Sequence, residues 1–379
     1  MLGLDRDLIF QGIFMGDFDI VTFLKKAVSA GASDEHLKAG RIPYIRKNGK
    51  IIPTTEPPLS TENIHQAIET LAPEYIMSKY KNVCDLDFSY EIKGFARFRI
   101  NCNKQLGVPS LVIRNIPVKI PTTEQLFLPE ITRKITNFQN GLVLVTGATG
   151  SGKSTTIASL ISEICKNSKK HIITIEDPVE FVFPSAQSIV SQRQVMIDTL
   201  SFKDGIKYAL RQDPDVIYIG EIRDRETMEA AITAAETGHL VFSTLHTNDA
   251  VQTINRIINL FDVADRNFVR TRLADILRVT FAQQLIYSST KQQRFPACEV
   301  MLVTPAVRDY ILKDNFDEIY KLLEEHSGND MISMNESLYL LVKKGLISQP
   351  EALEYSPDEN ALTNLFKGIY QGTNIYYEQ

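Results

Sequence analysis

The octapeptide Gly147-Ala148-Thr149-Gly150-Ser151-Gly152-Lys153-Ser154 constrains this chain more than any other segment. It has the form of a Walker A loop, and its neighbours give it the context such a loop needs. The run Gly141–Thr146 before it is mostly apolar and reads as a buried strand, and Thr155–Cys165 behind it has helical spacing. A strand feeding a Gly-rich turn and then a helix N-terminus presents successive backbone N–H groups to a phosphate, with the helix dipole favouring its negative charge. In such a loop Lys153 reaches the β- and γ-phosphates and the Ser154 hydroxyl sits on Mg²⁺. A Gly-rich turn with a chance Lys-Ser is the competing reading, and the strand and helix on either side weigh against it. The sequence therefore predicts nucleoside triphosphate binding by Gly147, Ala148, Thr149, Gly150, Ser151, Gly152, Lys153, Ser154 and Thr155, with ATP and Mg²⁺ as cofactors.

The length of 379 residues gives room for two or three domains. Net charge is −5, so no global basic field recommends nucleic acid or an anionic membrane as partner, and none is expected. The cysteines, Cys84, Cys102, Cys165 and Cys298, contain no C-x-x-C pair and read as reduced structural thiols. The apolar stretches near the N-terminus are interrupted by Asp5, Arg6, Asp7, Asp17 and Asp19 and fit neither a signal peptide nor a spanning helix. A cytoplasmic location is expected, with any membrane role exercised through a partner.

Residues 18–120 read as a mixed α/β domain behind an extension at 1–17. Helical periodicity covers Phe18–Ala30 and Thr61–Lys79, the latter with Ser60 as N-cap, and Tyr44–Ile52 reads as a hairpin turning at Asn48-Gly49. Alternation in Asp85–Ile92, Ala96–Ile100 and Ser110–Arg114 predicts antiparallel strands with one wet face. Pro117 and Pro121 mark a joint, and 121–134 reads as a linker. Across 135–355 strands then alternate with helices: His171–Ile175, Val216–Ile219 and Leu240–Leu245, with helices at Phe202–Arg211 and Glu226–Glu236 between them. This is the pattern of a doubly wound parallel sheet with ligands at the strand C-termini. From Val251 to about Lys367 the pattern reads as mainly helical, and 356–379 is a tail for which fraying is the better prior.

Each predicted parallel strand ends in candidate chemistry. His171–Ile175 runs into Glu176-Asp177-Pro178-Val179-Glu180, Val216–Ile219 into Gly220-Glu221, and Leu240–Leu245 into His246-Thr247. Hydrolysis of a phosphoanhydride needs a carboxylate for water, a second for the Mg²⁺ shell, and donors for the γ-phosphoryl group. A lone loop carboxylate is more often a solvated or capping residue; the set beside a Walker A loop is a candidate active site.

The segments Gly147–Ser154, Thr174–Phe181, Asp213–Asp224 and Thr233–Thr247 resemble, in order, the Walker A, Asp box, Walker B and His box of the type II/IV secretion-system ATPase superfamily, and within it the type IV pilus retraction ATPases (PilT/PilU). Ala32-Ser-Asp-Glu-His-Leu-Lys-Ala-Gly40 is similar to that family's opening motif, and Gly94–Asn101 to the strand carrying its first arginine finger. The resemblance implies a PAS-like N-terminal domain, a RecA-like P-loop ATPase domain with a helical C-terminal region, and a homo-hexamer. It implies Glu176 as general base, Glu221 as the Walker B acid near Mg²⁺, His246 as γ-phosphate sensor and His239 as a supporting residue at the nucleotide. Arg99 and Arg114 stand at the spacing of two arginines that reach a neighbour's nucleotide, and Arg97 shares Arg99's face. The implied activity is a motor for pilus retraction and twitching motility, acting on a PilC-like inner-membrane platform protein, with a paralogous retraction ATPase among the partners the resemblance implies. Alternatives are a type IV secretion or pilus-assembly ATPase, or a low-turnover accessory retraction subunit. Ala306–Ile311, with Arg308, resembles a helix motif of the retraction motors, whereas the tail and Arg223–Glu229 look more like PilU.

Overall fold

Buried apolar runs set the strands of the larger sheet. In the computed structural model, which describes residues 18–47, 49–80, 85–116, 119–183, 186–325 and 331–369, β7 (Gly141–Thr146) lies inside a seven-stranded sheet of order β13-β12-β7-β11-β10-β8-β9. The chain divides between Lys119 and Ile120 into two compact units.

In the first unit α1 (Ile20–Ser29) starts at Asp19, whose carboxylate accepts from the Val21 and Thr22 amides. β1 (Asp34–Lys38), β2 (Tyr44–Lys47) and β3 (Lys50–Pro53) follow, then α2 (Thr61–Leu71), α3 (Glu74–Tyr80), β4 (Asp85–Ile92), β5 (Ala96–Gln105) and β6 (Val108–Ile116). The strands form an antiparallel sheet of order β3-β2-β1-β6-β5-β4. Phe98, Ile100, Leu111 and Ile113 on one face bury against Phe23 and Leu24 of α1 and Ile64 and Ile68 of α2.

Two expectations change here. The helix expected over Thr61–Lys79 is two helices, because Pro73 supplies no N–H and holds Ala72 extended at ψ 131°. β1 was not expected at all. Its sequence Asp-Glu-His-Leu-Lys is polar, and only pairing with both β2 and β6 makes it a strand. The hairpin is present as β2–β3, with Lys47 opposite Lys50 and Gly49 at φ 79°, while Asn48 lies outside the described residues. Residues 1–17, Cys84, Pro117 and 370–379 also lie outside them.

The second unit opens with turns and short α4 (Thr132–Ile135), then β7, α5 (Lys153–Asn167), β8 (His171–Glu176), β9 (Ile189–Gln194), α6 (Phe202–Ala209), β10 (Val216–Ile219), α7 (Arg225–Glu236) and β11 (Leu240–Leu245). α8 (Ala250–Ile258) and α9 (Arg266–Ile276) lead to β12 (Leu277–Ser288) and β13 (Gln293–Leu302), and α10 (Pro305–Leu312), α11 (Phe316–Glu325), α12 (Met334–Lys343), α13 (Gln349–Glu354) and α14 (Glu359–Phe366) close the chain. Strands β12, β7, β11, β10, β8 and β9 pair in parallel, and β13 returns antiparallel to β12.

The region after Val251 is mainly helical, from α8 to α14, but it is not helical throughout. Two long strands cross it, and β12 pairs directly with the P-loop strand. Val279, Phe281 and Ala282 are fully buried together with Thr280, so alternation, the usual strand signal, is missing. No helix among the described residues is long and apolar enough to cross a membrane. Cys102, Cys165 and Cys298 are buried free thiols.

Candidate active site

The P-loop turns out of β7 on glycines at positive φ: Gly147 at 143°, Gly150 at 79° and Gly152 at 88°. Gly152 stands at the N-cap of α5, where it offers no side-chain acceptor to the first-turn amides. A helix start left open in this way suits an anion. Lys153 is buried, and its ammonium donates to the carbonyls of Gly147 at 2.8 Å and Ala148 at 2.9 Å. Burial lowers its pKa, opposed by the charges of Glu221 and Glu180. The Oγ of Ser151 and the Oγ1 of Thr146 are buried without a partner beside the loop. Together these features fit a bound polyphosphate.

Along the sheet, β7, β11, β10 and β8 are consecutive. Their C-terminal ends carry Lys153, His246, Glu221 and Glu176 in that order, on strands about 4.8 Å apart. Glu176 is 5% exposed. Its Oε1 accepts from Thr174 Oγ1 at 2.7 Å and Gln192 Nε2 at 3.2 Å, and its Oε2 from the Glu180 amide at 3.4 Å. Burial pushes its carboxyl up to about 7 against those hydrogen bonds. Glu221 is paired with Arg223 at 2.5 Å and lies 3.7 Å from His246 Nε2. Burial, aided by the Lys153 charge, lowers the His246 pKa against the pull of Glu221, which favours the neutral imidazole. Ser154 and Thr155 are half-buried in the first turn of α5.

His239 is not in this group. It precedes β11 at the opposite end of the sheet, where its carbonyl accepts from the Gly141 amide. The six residues of β7 separate it from the loop by about 20 Å, at a strand rise of ~3.3 Å per residue. Its ring nitrogen Nδ1 instead donates to Ala234 O at 2.9 Å and so closes the C-terminal turn of α7. The expectation that it contacts the nucleotide bound by its own chain is corrected accordingly: being in the same sequence box as His246 does not place it at the same strand end.

Arg99 and Arg114 lie in the first unit, directly opposite each other on β5 and β6. The same row continues through Asp34 on β1 to Arg46 on β2. Arg114 Nε donates to Asp34 Oδ1 at 3.0 Å, yet its side chain is 67% exposed. Two guanidinium groups facing each other across a ladder repel; an anion between them would relieve this. Arg97 is one step along the same face, its Nε buried without a partner.

Two site residues escaped the sequence reading. Gln283, on β12, donates from Nε2 to Ser151 O at 2.6 Å and accepts from Thr156 Oγ1 at 2.7 Å. Glu299, on β13, accepts from the Ala250 amide at 2.8 Å and so fixes the start of α8, just beyond His246. Strand prediction over 277–302 would have pointed to both, since each is a polar residue inside a buried run.

The matches with known proteins agree with this geometry. Residues 23–336 match the family model of type II/IV secretion system proteins. The chain is 41% identical over 336 residues to the type IV pilus retraction ATPase PilT of Pseudomonas aeruginosa, covering 89% of this chain and 97% of that protein. It is 38% identical over 344 residues to the type IV pilus ATPase PilU of the same organism, covering 91% and 90%. A crystal structure of the pilus retraction motor PilT with bound ADP superposes with a TM-score of 0.84 at 42% identity, over 90% of this chain and 98% of that one. The Legionella pneumophila ATPase DotB superposes at 0.75 and 27% identity, over 93% and 97%. The chain thus belongs to the type II/IV secretion system protein family, among its PilT- and PilU-like pilus retraction ATPases.

Proposed function

We propose that the chain is one subunit of a homo-hexameric motor that couples Mg-ATP hydrolysis to type IV pilus retraction, and so to twitching motility. The observation that carries this is the row of Lys153, His246, Glu221 and Glu176 along consecutive strand ends beside an open P-loop, in a chain whose likeness to PilT spans most of its length. On this reading residues 18–120 are a PAS-like domain and 135–355 a RecA-like ATPase domain, joined by the 121–134 linker and flanked by the 1–17 extension and the 356–379 tail. The motor works in the cytoplasm against a PilC-like platform protein of the inner membrane, with a paralogous ATPase as a possible companion.

The P-loop amides and Lys153 bind the β- and γ-phosphates. Ser154 and Glu221 would hold Mg²⁺, which when bound neutralises charge building on the phosphates. Among the described residues no group of three or more His, Cys, Asp or Glu side chains could hold a metal alone, which suits an ion carried on nucleotide phosphates rather than in a protein cage. Glu176, held at both oxygens, accepts the proton of the attacking water. His246 is the hydrogen-bonding partner on the γ-phosphate side. Arg99 and Arg114 of a neighbouring subunit meet the charge on the transferring phosphoryl group. In the pair with Asp34 the Arg114 side chain is 67% exposed, so its guanidinium is open to solvent while the carboxylate is held in the sheet.

Deleting the gene tests the direction of force. Loss of a retraction motor leaves more surface pili and abolishes twitching; a deletion strain without pili would instead assign the chain to assembly.

A further inference from the structure

We propose that Gln283 is the positioning residue of the phosphate loop, and that its side-chain amide sets the affinity for the diphosphate moiety common to ATP and ADP. The inference rests on the ATPase reading above and adds a determinant of nucleotide affinity that none of the sequence motifs contains.

β12 pairs with β7 up to the last residue of that strand, Thr146 opposite Ala282. Gln283 is the next residue, level with the point where the loop leaves the sheet. It is 2% exposed, and both ends of its carboxamide are engaged. Thr156 Oγ1 holds Oε1 at 2.7 Å, which turns Nε2 toward Ser151 O at 2.6 Å. Ser151 lies between Gly150 and Gly152, both at positive φ, so the loop is least restrained by its own backbone where Gln283 ties it down.

The loop is also shaped around this residue. A Cβ at Gly147 would stand 2.3 Å from Gln283 O, and one at Gly152 would stand 2.8 Å from Gln283 Nε2. The Gln283 backbone thus leaves no room for a side chain at Gly147, and a side chain at Gly152 would have to displace the Gln283 carboxamide. Without the tie, the loop would occupy its phosphate-binding form for only part of the time, and apparent affinity falls by that fraction. Glu176, Glu221 and His246 stand on other strands, so the loss should appear in KM and not in kcat.

The test uses the full chain. Gln283→Leu keeps much of the shape and removes both hydrogen bonds. The expected result is a Kd for ADP raised at least about tenfold, the fold-change of one buried hydrogen bond left unmade. KM for ATP should rise in parallel, with kcat within about threefold of wild type. A role in folding alone would lower the melting temperature and leave Kd and KM of the folded protein unchanged; that outcome overturns the proposal. Should Gln283→Leu fail to fold, the Thr156 variants decide. Thr156→Val frees the amide and should weaken ADP binding, while Thr156→Ser keeps the hydroxyl and should bind as wild type. Equal affinity in both, whether high or low, would overturn it. Failure of the ATPase reading would look different, because the wild-type chain would then bind no ADP, or Lys153→Ala would bind it equally well.

Discussion

Glu176→Gln separates chemistry from binding, and the structure sets its magnitude. The wild-type carboxyl is buried and pushed up from 4.5 to about 7, with burial as the chief cause. Gln fits the same space. Its carbonyl can keep the Thr174 and Gln192 hydrogen bonds, and only the 3.4 Å contact from the Glu180 amide is lost. Nucleotide affinity should then stay within a few-fold, while turnover falls about a hundredfold or more, since the amide cannot take the water's proton. Stability should move the other way. Between pH 4.5 and about 7 the unfolded carboxyl has lost its proton and the folded one still holds it, so this group's contribution to stability falls as pH rises. Above about 7 ionisation inside the fold costs on the order of 3 kcal/mol, a penalty the amide does not carry. Glu176→Gln should therefore melt higher than wild type at pH 8 and similarly at pH 4.5. Phosphate release at saturating Mg-ATP should show kcat rising with pH through about 7 in the wild type. Turnover of Glu176→Gln within tenfold of wild type, or a flat wild-type profile from pH 6 to 8, would refute the assignment. If Glu221→Gln instead stops chemistry alone, the two carboxylates exchange roles.

Lys153→Ala should abolish ATP binding or turnover, because the ammonium that now spans the Gly147 and Ala148 carbonyls is the cation of the loop itself; turnover within tenfold of wild type would show that another residue holds the phosphates. Mixing Lys153→Ala with Arg114→Ala subunits should recover part of the ATPase activity, since some interfaces then pair an intact P-loop with an intact finger. No recovery across mixing ratios, with mixed rings shown to form, would remove Arg114 from the site. Arg308→Ala should leave purified ATPase activity and melting temperature close to wild type while impairing twitching. Its partner Asp275 and Arg308 itself are each about half exposed, so the pair adds little to stability; equal loss in both assays would make the residue structural.

The nucleotide site was legible in the sequence because its backbone is locally encoded. Strand, Gly-rich turn and helix are contiguous, and Lys153 and Ser154 lie within the motif. Glu176, Glu221 and His246 could be placed because each directly follows a buried strand and the strands are parallel, which brings all their C-terminal ends to one edge. His239 shows where that reasoning fails, since residues sharing a motif can stand at opposite ends of one strand. The antiparallel strands of the first unit were readable from alternation, but β1 was not, because its polar sequence becomes a strand only through its two neighbours. Most of what holds the phosphate loop was likewise tertiary. Thr156 and Gln283 are 127 residues apart, and β12, buried on both faces, carries no periodic signature of a strand. Likewise, that Arg99 faces Arg114 depends on the register of β5 with β6. Local sequence fixes backbone conformation and the residues that act through it. Contacts between distant segments follow from the packing of the sheet, and here that packing decides how the loop is held.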